Sequence, residues 1–288
     1  MTFIQKAEAV KTVRKTAAQT CLLSFQKVYS DYKKTSELRF TNTWTKLMEK
    51  SNKIHGFWYQ PPPTGIAALF FDNMYTDRAN YSSLRERNFW PKSNNFLNNS
   101  GGGYLFASPF YMINDIPLIG DFGFSFYTGN DPEIKEHYHQ CSIILNSLLK
   151  KIEPGMKFSR LYTEAVSLMK KKGYGNYIKS STDKLGTNIG HTIPFLENDP
   201  TISDLGVINT GSEEKINNLI SIGRIFINEN SNFVISNNCG FTFEPRFISL
   251  KNQKLPMFSL HQIILFIDGR KEILSDFDGI FNFLKLNY

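Results

Sequence analysis

The chain is poor in cysteine: Cys21, Cys141 and Cys239 are the only three in 288 residues, far apart and without a CxxC pair. That spacing excludes a disulfide framework and a thiolate zinc site, and it fits a reducing compartment. Apolar runs of 18 or more residues are missing, so no membrane-spanning helix and no membrane partner are expected. Residues 1–15 alternate charges with single apolar residues instead of forming the continuous apolar stretch of a secretory leader. A cytoplasmic, unprocessed chain is the expectation. Clustered charge is scarce as well. The net charge of +7 is dispersed, and the Lys150-Lys151 and Lys170-Lys171-Lys172 runs fall at the ends of expected helices, where cations offset the helix dipole. A solvated face follows, not a nucleic-acid surface.

What is plentiful is apolar and aromatic mass, 41% and 14% of residues, which is ample for a sizeable core. Apolar residues at helical spacing predict helices over about 5–30 and 36–53. The break at Pro61-Pro62-Pro63-Thr64-Gly65 then leads into a buried strand, Ile66 to Phe71. Residues 72–103 are rich in Asn, Ser, Arg and Gly and read as an irregular excursion. Strands are expected again at 103–112 and 122–127. Asp131-Pro132-Glu133 supplies a cap, a first-turn proline and an acid at the dipole's positive end, starting a helix that ends near Lys151. Another helix is expected from Ser159 to Lys172, stopped by Gly173. The order helix, turn, helix, strands thus occurs twice, about 120 residues apart, which suggests two related halves, about 6–110 and 111–288, in one domain spanning 1–288.

Chemistry concentrates where ionisable residues fall in strand-like contexts. Phe241-Thr242-Phe243-Glu244-Pro245 and Leu260-His261-Gln262-Ile263-Ile264-Leu265-Phe266-Ile267 place a carboxylate and an imidazole on two apolar strands. Burying either is costly unless it is paired or metal-bound. Gly190-His191-Thr192-Ile193-Pro194 and Gly120-Asp121-Phe122-Gly123 add two more candidate metal ligands.

The order of these segments, with Ile152-Glu153-Pro154-Gly155-Met156 and Asp268-Gly269-Arg270-Lys271-Glu272-Ile273-Leu274-Ser275, resembles the pita-bread metallopeptidases, which include methionine aminopeptidase, aminopeptidase P, prolidase and creatinase. The similarity runs from about Lys6 onward and matches the catalytic domain without the additional N-terminal domain of aminopeptidase P. It implies an α+β fold with two pseudo-symmetric halves around a curved antiparallel sheet. In that family two Asp, one His and two Glu hold two divalent metals sharing a water that attacks a peptide carbonyl. Carried over, the second Asp matches Asp121, the His matches His191 and the first Glu matches Glu244. The last Glu falls on His261. The first Asp falls on Phe110, with Asp115 or Ser108 as substitutes if the loop has shifted. Two further histidines of the family are replaced by Thr187 and Asn198, and the stretch 201–230 is enlarged, so substrate access is expected to be remodelled.

With one Asp gone and one Glu replaced by His, a second metal lacks anionic oxygens. One divalent ion held by Asp121, His191, Glu244 and His261 is therefore expected. Two imidazoles with carboxylates and an open position favour Fe(II), with Mn(II) or Zn(II) as alternatives. The reading is a mononuclear metalloenzyme that has left dinuclear peptide hydrolysis and activates oxygen on an amino-acid-like small molecule. The alternatives are a metal-dependent hydrolase, Xaa-Pro or Met aminopeptidase-like, and a metal-free pseudoenzyme binding a peptide or protein. The implied partners are a small or peptide-like substrate, with a homodimer possible. Three other features read as structural: His137 and His139 as a solvated first helical turn, Phe57 to Pro63 as an entry to the first strand, and Gly101-Gly102-Gly103 as a flexible loop at the cleft edge.

Overall fold

The computed structural model describes residues 1–60, 62–72, 77–176, 183 and 186–288. Pro61 of the proline run lies outside the described residues. Helix α1 (Phe3–Val28) opens with a capping box between Thr2 and Gln5, and α2 (Glu37–Glu49) is capped by Ser36, whose hydroxyl accepts from Arg39 N. Strands β1 (Gly56–Phe57) and β2 (Ile66–Phe71) follow. The expected strand over 103–112 is two strands, β3 (Gly102–Ala107) and β4 (Pro109–Ile113), parted at Ser108. The hydroxyl of Ser108 donates to Gly65 O and accepts from Tyr59 N, which bends the chain from one sheet into another. β5 (Ile116–Ile119) returns along β4 through a two-residue turn in which Asn114 and Asp115 both have positive φ. That geometry suits the right-handed twist of a hairpin.

β6 (Phe122–Tyr127) leads to α3 (Pro132–Lys151), capped by Asp131 as expected, and to α4 (Phe158–Lys171). After β7 (Tyr174–Asn176), the enlarged stretch holds two short helices, α5 (Ile202–Thr210) and α6 (Glu213–Ile222). The chain finishes with β8 (Cys239–Phe243), β9 (Phe247–Ser249), β10 (Leu260–Ile267), β11 (Arg270–Leu274) and α7 (Asp278–Leu284).

The main sheet is antiparallel, in the order β11-β10-β6-β3-β2, with β8 also paired to β10. Apart from the edge strand β11, its strands are buried on both faces. Ile66, Ala68, Phe70, Phe122, Phe124, Phe126, Ile264 and Phe266 face the helices in the main core. Ala67, Leu69, Tyr104 and Phe106 turn to the opposite side. This two-faced burial explains why β2 and β10 read as continuous apolar runs without alternation.

The decisive feature is a fork in β10. Its first residues, Leu260 and His261, pair with Phe124 and Gly123 of β6, whereas Gln262 to Phe266 pair with β8. Residue 121, just before β6, and residue 244, just after β8, are thereby brought to the same end of the sheet as His261. Gly123 fits the junction because a Cβ there would sit 2.8 Å from the Tyr104 hydroxyl oxygen.

Two sequence readings are corrected. Gly102 and Gly103 are not a flexible loop but buried strand residues, and a Cβ on Gly103 would crowd the ring of Phe126 at 2.8 Å. His137 is not solvated. It is buried on α3, where its Nε2–H donates to Pro256 O at 2.9 Å and its Nδ1 faces Cys141 Sγ, while His139 is exposed. The apolar stripe of α3 includes position 137, and the polar identity of the residue masked that.

Candidate active site

Asp121, His191, Glu244 and His261 line one cavity of about 50 Å³ together with Trp58, Tyr59, Phe106, Asn188, Arg224 and Arg246. Space of that size admits a few waters or an ion with its water.

His191 is fixed by its backbone. The segment before it runs beside β8: Glu244 N donates to Ile189 O at 2.8 Å and Thr242 N donates to His191 O at 2.8 Å. Gly190 has φ +145°, and any Cβ there would strike the Thr242 carbonyl, so glycine is required. The imidazole Nδ1–H donates to Thr192 O at 3.0 Å, which leaves Nε2 as a lone-pair donor facing the cavity. A backbone carbonyl that fixes the tautomer in this way is the usual support of a metal-binding histidine. His191 Nε2 lies 3.8 Å from Asp121 Oδ2 and 3.9 Å from Glu244 Oε1, and His261 Nδ1 lies 3.3 Å from Glu244 Oε2.

The polar atoms here are buried and incompletely satisfied. Asp121 Oδ2 and both ring nitrogens of His261 have no hydrogen-bond partner among the described residues. The other Asp121 oxygen accepts the Trp58 indole N–H at 2.6 Å. Burial drives every group toward its neutral form: desolvation pushes Asp121 up to about 8 and raises Glu244 against the opposing pull of nearby guanidiniums, and it lowers His191 and His261 in the same direction as those guanidiniums. Neutral imidazoles are the form that binds a metal.

These donors fit one divalent cation by chemistry: two imidazole nitrogens, two carboxylates and unpaired atoms aimed at one space. They are not a closed ligand shell. Spacings of 3.8–3.9 Å exceed the about 3.0–3.4 Å that separates neighbouring donors on one ion. Among the described residues, no three or more His, Cys, Asp or Glu side chains are grouped so that they could hold a metal ion.

The positions considered for the first Asp do not add a carboxylate. Phe110 is buried in an apolar cluster with Leu118, Ile119 and Ile193, and its ring covers Gly56. Asp115 sits exposed in the β4–β5 turn, and Ser108 is engaged with Gly65 and Tyr59. Thr187 and Asn198 are both exposed.

Four functional neighbours escaped the sequence reading. Arg246 approaches Glu244 Oε2 at 3.7 Å and lies over the Tyr81 ring. Arg224, delivered just after α6, stacks over Trp58 at 4.5 Å and over Phe226 at 4.9 Å. Arg14 on α1 is fully buried and donates to the carbonyls of Asp121, His261 (2.6 Å) and Ser275 (2.8 Å), tying the helix to both site strands. Trp58 is the fourth. Of these, Arg246 had a signal, since it follows Glu244-Pro245 directly. The long-range partners of Arg14 and Trp58 had none.

Residues 118–254 match the family model of metallopeptidase family M24. No curated protein matches the sequence. Among solved structures, the X-Pro aminopeptidase of Thermotoga maritima MSB8 superposes with a TM-score of 0.61 at 12% identity, covering 94% of this chain and 61% of that one. Prolidase from Pyrococcus furiosus gives 0.56 at 12% identity, covering 91% and 62%. X-prolyl aminopeptidase from Caenorhabditis elegans, a cytosolic enzyme with a dinuclear active site, gives 0.57 at 14% identity, covering 94% and 38%. The chain thus spans about three fifths of the length of the first two. At such identities the likeness is one of fold, and that fold is the pita-bread α+β architecture. Among the described residues, no helix is long and apolar enough to cross a membrane.

Proposed function

As a divergent member of the pita-bread M24 metallopeptidase family, this chain is, we propose, a metalloenzyme whose cavity holds one divalent cation, with Asp121, His191, Glu244 and His261 as ligands. The observation that carries the reading is the convergence of four buried donor side chains from separate segments on one cavity, with Asp121 Oδ2 and both ring nitrogens of His261 unpaired among the described residues. Unsatisfied buried polar atoms cost about 1–3 kcal/mol each, and a shared cation removes that cost for the atoms that bind it. Phe110 in place of a carboxylate supports a single ion and departure from dinuclear hydrolysis.

A cation there supplies Lewis acidity, and as Fe(II), which a donor set of two His with carboxylate favours, it also supplies redox chemistry with dioxygen. The chain's own residues do the rest. Trp58 holds Asp121 in one orientation, and Thr192 O fixes the tautomer of His191. Phe106, stacked on His261 at 5.7 Å between ring centroids, Trp58 and Phe226 restrict water.

Metal content of protein purified without chelator, measured for the wild type and for His261→Ala, tests the reading. About one ion per chain, falling sharply in the variant, is expected; less than about 0.2 ion even after reconstitution rejects it. Arg224 and Arg246 beside the two carboxylates favour a second reading, a metal-free pocket for a peptide or small molecule, and that low metal content is its signature. Cleavage of Xaa-Pro or Met-Xaa peptides by metal-loaded protein, lost in Glu244→Ala, returns the chain to hydrolysis.

A further inference from the structure

The two faces of helix α6 meet different surroundings. Ile216 and Ile220 pack on the body of the protein, in the cluster that includes Ile193, Leu196 and Trp58. Glu213, Glu214 and Asn217 instead face Trp58, Gln60 and Arg85 across a gap of about 460 Å³. The polar face of a surface helix ordinarily looks onto bulk water, whereas this one looks onto another wall of the same chain. Helix α5 rests on α6. Its buried residue is Ile208, while Ile202 is 92% exposed.

This helical hairpin is anchored at both ends and constrained where it leaves the body. Ile193 N donates to Gly240 O at 3.0 Å, and Ile225 and Thr192 are joined by two bonds of 2.9 Å, Thr192 N to Ile225 O and Ile225 N to Thr192 Oγ1. Between these anchors Phe195 has φ +63°, a left-handed conformation that a bulky residue adopts only under constraint. The buried ammonium of Lys6 supplies it, donating to Phe195 O at 2.7 Å and pairing with Asp199 at 2.6 Å. The chain returns through Gly223 at the end of α6. Backbone strain of this kind collects in segments that switch.

Opposite charges face each other across the gap without pairing. Arg85 is fixed on its wall by Gln60 O at 2.9 Å and by the Tyr59 ring at 4.5 Å, and its Nε is buried without a hydrogen-bond partner among the described residues. Among the same residues neither Glu213 nor Glu214 makes an ion pair, and Glu213 accepts a long bond of 3.3 Å from Gln60 Nε2.

From this arrangement we infer that the α5–α6 hairpin is a lid, open in this structure, which swings about Phe195 and Gly223 and is latched shut by Glu213 and Glu214 on Arg85. Closure fills the gap beside Trp58, the side chain that also walls the inner cavity and carries Arg224, so the lid gates that cavity. The device does not depend on whether the cavity holds an ion. Its latch is an ion pair near the surface, so salt weakens it.

Pulsed electron paramagnetic resonance on protein as purified tests the inference, with spin labels at Ile202→Cys on the lid and Arg87→Cys near the facing wall. The three native cysteines are buried and do not compete for label. The expected result is a shorter-distance population that falls about threefold or more in about 1 M salt or in Arg85→Glu. Combining Arg85→Glu with Glu213→Lys and Glu214→Lys, each variant checked for folding by circular dichroism, is expected to restore it. A single distance that neither salt nor Arg85→Glu moves overturns the inference, and so does a short-distance population that persists in Arg85→Glu. None of these outcomes bears on metal content, so the single-cation reading stands or falls by its own test.

Discussion

Trp58 Nε1 donates a hydrogen bond to Asp121 Oδ1 at 2.6 Å while the same indole ring carries the Arg224 guanidinium 4.5 Å from its centroid. One side chain therefore orients both an acid and a base of the cavity, from a strand-entry segment 63 residues away from Asp121.

Replacing that donor separates its two roles. Trp58→Phe keeps an aromatic face for Arg224 but leaves a second Asp121 oxygen unpaired in a fully buried carboxylate. Metal affinity is expected to fall about tenfold or more, as for other supports of a ligating group. Unfolding in urea should show a loss of about 1–3 kcal/mol. Unchanged Mn(II) affinity in calorimetry contradicts the orienting role.

Arg14 is a different kind of support, since it touches the backbone of Asp121 and His261 and not their side chains. Its planar fork spans three carbonyls, which a lysine ammonium on a single stem cannot reach together. Arg14→Lys is expected to destabilise the fold by about 2–4 kcal/mol, because buried carbonyls lose charged donors. Thermal unfolding followed by circular dichroism measures this, and a change below about 0.5 kcal/mol refutes it.

The irregular stretch over 77–101 is anchored by a buried pair. Glu37 receives Arg78 Nε and Nη2, the backbone N–H groups of Phe70 and Lys92, and the Asn95 amide. Arg78→Met strands that carboxylate at zero exposure. A loss of about 3–5 kcal/mol in chemical denaturation is expected, as for other buried pairs broken on one side.

His137 gives the fold a dependence on acid. Burial lowers its pKa from 6.5 to about 4, so the folded state holds the neutral imidazole where the unfolded chain binds a proton. Stability from this group is complete above pH 6.5 and is lost as pH falls through about 4. The loss amounts to about 3 kcal/mol across that window. In His137→Gln, which can still donate to Pro256 O, urea unfolding from pH 7 to pH 4 should show a correspondingly shallower decline.

Much of the architecture was legible from the chain. Caps at Ser36 and Asp131, the apolar stripes of the long helices and the continuous apolar run of β10 all leave local signatures, and each element lies within a few residues of its expected place. The split at Ser108 was hidden because a bend between two sheets is set by distant partners, Gly65 and Tyr59. His137 was misjudged because a polar residue on a buried stripe looks the same as one on a wet face.

The site was legible in part for a related reason. Asp121, His191, Glu244 and His261 each stand in a recognisable local context, and the β10 fork brings their segments together. The arginines were not legible. A guanidinium becomes part of a cavity only through the side chains that hold it, and for Arg224 and Arg14 those lie far off in sequence.

The most direct test of the central claim is a crystal structure of metal-loaded protein with anomalous data at the Fe, Mn and Zn edges. The account predicts a single anomalous peak bounded by Asp121, His191, Glu244 and His261. Two peaks, or no peak with Arg224 and Arg246 closed directly onto the two carboxylates, contradict it.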